Sequence, residues 1–147
     1  MRIYIDADAC PVIALTIDIA KNYNIPVTLI CDTCHILDKY NAEVITVEKG
    51  ADSADLKLAN KVIQGDIVVT QDYGLATLCL AKKAYAINQN GLIFTDDNID
   101  SLLFSRYINK KDRMAGKRTK GPKKRTEQNN IDFKNALIKL IEEIKNA

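Results

Sequence analysis

Five aspartates in the first half of the chain have the spacing of a metal-binding cluster. Asp6 and Asp8 follow one short apolar run, and Asp72 follows another. Asp52 and Asp55 stand near the start of a helical pattern, about one turn apart. Carboxylates that are brought together repel one another unless a cation neutralises them, and ligand sets made of oxygen favour Mg²⁺ or Mn²⁺ over zinc. The pattern therefore predicts Mg²⁺ or Mn²⁺ as the cofactor.

The elements that must position these acids form an α/β pattern. Apolar, β-branched runs bounded by turn residues predict strands at 2–5, 26–31, 42–47, 66–70, 85–87 and 92–94. Helical spacing predicts helices at 11–20, 52–64, 72–82, 97–107 and 130–145. The alternation indicates one α/β domain over residues 1–147 with a mostly parallel central sheet.

The predicted sheet brings the acids to one edge. In such sheets ligands bind beyond the carboxyl ends of the strands, where the strand order reverses. Each acid at a helix start is also typical of a simple N-cap, so the prediction rests on the whole set. Asp55 heads the inward stripe of its helix, which a cap alone does not require. Thr70 and Gln71 end a strand beside the same edge and are predicted to contact substrate.

Positive charge is concentrated late in the chain. Net charge is +2, yet residues 106–126 hold ten basic residues and one acid. This composition predicts a basic, flexible segment over 108–128 that binds the phosphates of a nucleic acid, most simply RNA. The predicted phosphate contacts are Arg113, Lys117, Arg118, Lys123, Lys124 and Arg125.

The sequence also bears on the cellular location of the protein and on the state of its cysteines. No apolar run approaches the roughly 18 to 20 residues that cross a bilayer, and acids begin at Asp6, which predicts a cytoplasmic protein without membrane contact. Cytosolic thiols stay reduced, so disulfides are not expected. The Cys-x-x-Cys-His run at 31–35 matches haem attachment, which needs export. A zinc site of Cys10, Cys31, Cys34 and His35 is a further alternative.

Four motifs carry a resemblance to a known family: Asp-Ala-Asp-Ala-Cys-Pro at 6–11, Asp-Ser-Ala-Asp at 52–55, Gly-Asp-Ile-Val-Val-Thr-Gln-Asp at 65–72, and Gly-Lys-Arg-Thr-Lys-Gly-Pro-Lys at 116–123. The chain resembles the YaiI/YqxD family, which is grouped with the PIN-like nucleases, over nearly its whole length. The resemblance implies a PIN-like, three-layer α/β/α fold, an acidic metal centre and, by analogy, RNA hydrolysis. The mid-chain Glu usual in PIN nucleases is absent, and Asp52 or Asp55 takes its place.

The resulting hypothesis is a metal-dependent nuclease in which Asp6, Asp55 and Asp72 hold the metal. Asp8 binds a second ion or orients the attacking water. Two alternatives remain open: a haloacid-dehalogenase-like phosphatase that uses Asp6 and Asp8, and a non-catalytic RNA-binding protein. The strongly apolar first helix is either buried on several sides or pairs with another subunit, which leaves a homodimer as an alternative to a monomer.

Overall fold

The computed structural model describes residues 1–32, 40–47, 53–116 and 124–147. The strands are β1 (Ile3–Asp6), β2 (Val27–Cys31), β3 (Glu43–Thr46), β4 (Ile67–Val69), β5 (Tyr85–Ile87) and β6 (Ile93–Phe94). The helices are α1 (Ile13–Asn22), α2 (Ser53–Lys61), α3 (Tyr73–Ala81), α4 (Asp96–Met114) and α5 (Glu127–Lys145). Among these described helices, none is long and apolar enough to cross a membrane.

One sheet holds the six strands in the order β3-β2-β1-β4-β5-β6. All neighbouring pairs are parallel except β5 and β6, which are antiparallel. The chain leaves β1 towards one edge of the sheet and returns through β4 towards the other, so the strand order reverses between these two central strands. This reversal opens the crevice in which parallel sheets bind ligands.

Helices cover both faces of the sheet. On one face, α1 and α5 pack through Ile13, Ile19, Phe133 and Leu137 against the side chains of the central strands. On the other face, a second apolar cluster joins α2, α3 and the first turns of α4 to the sheet. The three-layer α/β/α architecture with a mostly parallel sheet is therefore confirmed. The first helix is buried against the sheet by residues that include Thr16 and Ala20, which accounts for its apolar sequence within one chain.

The predicted basic segment is helical at both described ends. Helix α4 continues to Met114, beyond the predicted end near Tyr107, because no Gly or Pro interrupts it before Gly116. Helix α5 begins at Glu127, where the backbone N–H of Thr126 donates to the Asn129 side chain at 2.9 Å. Lys117, Arg118 and Lys123 lie outside the described residues.

Arg125 fixes the start of α5 to the turn between β5 and β6. Its guanidinium donates to Asn90 Oδ1 at 2.7 Å, to the Gln89 carbonyl at 2.8 Å and to Asn130 Oδ1 at 2.7 Å. The same turn contacts α5 through Gly91, whose φ is +89°. A Cβ at Gly91 would lie 2.6 Å from the carbonyl oxygen of Asp132, so this glycine permits the close approach of the turn and the helix.

We expect Gly91→Ala to destabilise the fold far more than Gly65→Ala. Both glycines have φ +89°, which costs an alanine about 1 to 2 kcal/mol, but among the described residues no heavy atom lies within 4 Å of a Cβ placed on Gly65. At Gly91 the α5 backbone must also move, which adds roughly 1 to 3 kcal/mol. Urea unfolding of both variants measures the difference, and equal losses would contradict the close contact.

Candidate active site

Asp6 and Thr70 form the centre of the site at the carboxyl ends of β1 and β4. The Thr70 hydroxyl is buried and donates to Asp6 Oδ2 at 2.9 Å. The hydroxyl oxygen of Thr70 also accepts a hydrogen bond from the backbone N–H of Asp72 at 3.0 Å. Thr70 was predicted to contact substrate, which stays a prediction, and the structure places its hydroxyl between two site aspartates. It therefore orients Asp6 and fixes the chain that leads to Asp72.

Asp72 caps α3 and also lines the site. Its Oδ1 accepts the N–H groups of Gly74 at 2.8 Å and Leu75 at 3.2 Å. Burial acts to raise the pKa of Asp72, but the hydrogen bond with the Asp55 carboxyl and these two N–H groups outweigh burial and lower the pKa. A hydrogen bond between two carboxyl groups requires a proton on one of them. A divalent cation replaces such a proton without leaving two repelling charges, so the pair fits a metal chemically.

Two more acids lie around Asp6. Burial raises the pKa of Asp6 above its ordinary value, and the hydrogen bond from Thr70 opposes this effect. The negative charges of Asp8, Asp72 and Asp32 raise the pKa further. Asp8 Oδ2 accepts the backbone N–H of Asp32 at 3.0 Å, which joins the loops after β1 and β2. Asp32 was missed, although it follows β2 as Asp8 follows β1 and the two strands are parallel neighbours.

The loop after β1 is held in a tight turn. Ala9 has φ +59°, a left-handed conformation that is uncommon outside glycine. Gln71 Nε2 donates to the Ala9 carbonyl at 3.3 Å, so the residue after Thr70 fixes the loop that carries Asp8. Gln71, predicted to bind substrate, is exposed and remains available at the rim of the site.

An open cleft of about 520 Å³ faces the acids. Its lining residues are Asp6, Gln71, Asp72, Tyr73, Leu102, Ser105, Arg106, Asn109 and Arg113. Arg113 was predicted as a phosphate contact and lies here, on one face of α4 with Arg106 two turns before it. Arg106 sits 6.0 Å from the centre of the Tyr73 ring, and its charge helps to lower the pKa of Asp72. The cleft thus brings two guanidinium groups, of Arg106 and Arg113, together with the carboxyl groups of Asp6 and Asp72.

Sequence reasoning missed Arg106 because the predicted helix ended near Tyr107. With α4 extended to Met114, the spacing of 106, 109 and 113 identifies one helix face, and this signal was present in the sequence.

A second groove of about 590 Å³ lies on the other side of Gln71. It is lined by Pro11, Gln71, Gln89, Asn90, Lys124, Arg125, Thr126 and Asn129. Gln71 borders both cavities. Lys124 is exposed here, as a phosphate-binding residue must be, whereas the Arg125 guanidinium is committed to Asn90, Gln89 and Asn130.

The structure describes four of the five predicted metal ligands. Asp6, Asp8, Asp55 and Asp72 are linked through hydrogen bonds or charge at the crevice, while Asp52 lies outside the described residues. Within the described ranges, no three Asp, Glu, His or Cys side chains are grouped as a preformed metal site. Metal binding at the crevice stays a prediction.

The two described cysteines of the alternative zinc site, Cys10 and Cys31, are not thiolates in this structure. Cys31 is disulfide-bonded, which corrects the expectation of free thiols throughout. Burial raises the pKa of the Cys10 thiol to about 11, so it stays protonated at neutral pH. Cys34 and His35 lie outside the described residues.

Comparison with known proteins gives one consistent match. A family profile described as "Uncharacterized BCR, YaiI/YqxD family" matches residues 4–143. A UPF0178 protein of Exiguobacterium sibiricum is 50% identical over 143 residues, which cover 97% of this chain and 98% of the relative. A UPF0178 protein of Ruminiclostridium cellulolyticum is 52% identical over 141 residues, with 96% and 92% coverage. No solved structure is significantly similar to this chain.

We expect Asp6→Asn to raise the free energy of unfolding near neutral pH. The pKa of Asp6 is higher in the folded than in the unfolded chain, so the folded chain binds this proton more tightly and loses stability as pH rises between the two pKa values. Asparagine removes that loss at neutral pH and has no such benefit in acid, where Asp6 is already protonated.

Urea unfolding at about pH 7 and about pH 3 tests this expectation, since the unfolded pKa lies near 3.9 and the lower pH is below it. Asp72→Ala is the contrasting variant, because it removes the α3 cap and should cost about 1 kcal/mol near neutral pH. A stabilisation by Asp6→Asn that is equal at both pH values would show that burial of its charge is not the cause.

Proposed function

This chain belongs to the YaiI/YqxD family, and from the site built by its fold we propose that it is a Mg²⁺- or Mn²⁺-dependent nuclease that hydrolyses phosphodiester bonds in RNA. The resemblance to PIN-like nucleases is part of this proposal. So is the assignment of Asp6, Asp8, Asp55 and Asp72 as the catalytic and metal-binding residues, with Asp52 as a further candidate ligand.

One observation carries the proposal: two carboxylates, Asp6 and Asp72, and two arginines, Arg106 and Arg113, line the same cleft. Carboxylates alone suit a cation, and arginines alone suit an anion. A phosphate diester bridges both, because its oxygens bind a divalent metal on one side and accept bidentate hydrogen bonds from guanidinium groups on the other. The cleft is open to solvent, as a polymeric substrate requires.

The proposed reaction is in-line hydrolysis. Asp6, Asp55 and Asp72 would hold the metal, which when bound polarises a phosphoryl oxygen and lowers the pKa of the attacking water. Asp8 accepts a hydrogen bond from that water and orients it. The water oxygen forms a bond to phosphorus and gives up a proton to solvent, and the bond to the leaving sugar oxygen breaks. The leaving oxygen takes up a proton from solvent, so the products are a phosphate monoester and a hydroxyl. Arg106 and Arg113 hold the non-bridging phosphate oxygens during this step.

The second groove supports a chain-like substrate over a small one. Gln71 borders both cavities, so a nucleic acid strand that crosses it has its scissile phosphate beside Asp6 and a neighbouring phosphate near Lys124. The phosphatase alternative lacks comparable support. Asp66, an acid that could have served it, accepts the N–H groups of Arg2 and Ile63 before β4, at the opposite edge of the sheet.

We expect Mg²⁺ or Mn²⁺ to raise the melting temperature of the wild-type protein and not of Asp55→Asn. A ligand that binds only the folded chain at 100 times its Kd stabilises it by about 2.7 kcal/mol. Asp55 is the suitable position because Asp72, unlike Asp55, also caps α3. Asp18→Asn, an exposed acid on α1, is the matched control and should keep the full response.

Cleavage of end-labelled, single-stranded RNA in the same buffers tests the activity. Metal-dependent cleavage that chelation stops and Asp55→Asn abolishes is the expected result. RNA binding without cleavage would favour the non-catalytic alternative, and turnover of a small phosphate monoester in place of RNA would favour the phosphatase.

We expect Arg106→Gln and Arg113→Gln each to weaken RNA binding about equally for all sequences. Each lost phosphate contact should reduce the slope of log affinity against log salt by about 0.7 for single strands. Lys139→Gln, an exposed cation on α5, is the control and should leave the slope unchanged. A salt titration measures all three, and unchanged slopes for the arginine variants would remove α4 from the substrate site.

A further inference from the structure

Helix α4 exposes a large apolar stripe that the cleft does not use. Of its nineteen residues, all described, only Ile99 is buried. Phe104 is 64% exposed and Tyr107 58% exposed, and Leu103 and Ile108 are each 37% exposed. Four large apolar side chains in adjacent turns form a contiguous patch, and such patches mark interaction surfaces.

The stripe lies on the side of α4 opposite to the cleft. At 100° per residue, the cleft residues Arg106, Asn109 and Arg113 fall within about 60° of one another. The mean direction of Phe104 and Tyr107 lies about 180° around the helix axis from that of these cleft residues. The cleft and the apolar stripe are therefore separate surfaces of one helix, and a partner on the stripe leaves the cleft accessible.

Charge along α4 is segregated by end. Its first turns carry Asp96, Asp97 and Asp100, and its last turns carry Lys110, Lys111 and Arg113. The last turns also hold one acid, Asp112, which lies about 100° around the helix from Lys111 and off the apolar stripe. A parallel copy would align like charges, whereas an antiparallel copy aligns each acidic end with a basic end. Neither Asp100 nor Lys111 has an ion-pair partner within the described parts of the chain, so both are available.

We propose that two copies of this chain form a twofold-symmetric dimer through antiparallel packing of their α4 helices. With the axis between Ser105 and Arg106, Phe104 of each copy faces Tyr107 of the other. In the same register Leu103 faces Ile108. These contacts bury the apolar stripe of both copies.

The same register also pairs the charges. Asp100 of each copy meets Lys111 of the other, one turn beyond the aromatic pair at each end. A twofold interface must be complementary to itself, and this one is: acid meets base and apolar meets apolar in a single register. This self-complementarity favours a second copy over an unrelated protein. The proposal rests on α4 alone and does not depend on nuclease activity.

Sedimentation velocity over a concentration series tests the proposal. The wild-type chain should be dimeric at high concentration, and Phe104→Glu should be monomeric with an unchanged circular dichroism spectrum, since the side chain is exposed in the monomer. A wild-type chain that stays monomeric throughout overturns the proposal and leaves the stripe to a different protein. A dimer that Phe104→Glu does not affect overturns it as well.

A charge-reversal cycle tests the register. Asp100→Lys and Lys111→Asp should each raise the dimer Kd by about tenfold, because each change places like charges at both symmetry-related pairs. The double variant should restore the wild-type Kd. Lys110→Asp makes the same charge change about a quarter turn of the helix away and should leave the Kd close to wild type. Failure of the double variant to restore dimerisation overturns the antiparallel register.

Discussion

A carboxylate at the end of the central strand is the constraint on which the site depends. Asp6 stands where the strand order reverses, partly buried and near other acids, so its charged form is disfavoured. The Thr70 hydroxyl stabilises that form and accepts the N–H of Asp72 with the same oxygen. One side chain therefore ties the ends of β1 and β4 and sets the distance between two candidate ligands. Valine has the same shape as threonine but no hydroxyl, and it would leave both groups without this partner.

Asp72 can cap α3 and take part in the candidate site at the same time. Asp72 Oδ1 accepts hydrogen bonds from two N–H groups at the start of α3. The Asp72 carboxyl group also forms a hydrogen bond with the Asp55 side chain and lines the cleft. Capping fixes the rotamer, and a fixed rotamer pre-organises a ligand. The positive end of the α3 dipole also favours the ionised form of Asp72, which a metal ligand requires. The structural role thus supports the proposed chemical role.

Sequence predicted most of the sheet and the position of Asp6 and Asp72 at the carboxyl ends of β1 and β4, because strands that end in carboxylates are local patterns. It did not predict the length of α4, since the run of basic residues after Tyr107 was interpreted as a tether. Lysine and arginine are good helix formers, and the first strong breaker is Gly116. The contacts of Arg125 could not be predicted from the sequence. Its charge suggested phosphate binding, which stays a prediction, whereas its hydrogen-bond partners Asn90 and Gln89 lie 35 and 36 residues away along the chain. Only the tertiary fold brings them together.

The extra turns of α4 change what the helix can do. Had it ended near Tyr107, Arg113 would not line the cleft, and the apolar stripe would lack the basic residues that complement its acidic start. The first turns of α4 are anchored to the body through Ile99, while the later turns extend beyond the core. An unsupported helix end positions arginines poorly, because its termini fray. In the proposed dimer, packing against a second copy would hold the later turns in place, and the outer face of α4 would then support the face that lines the cleft.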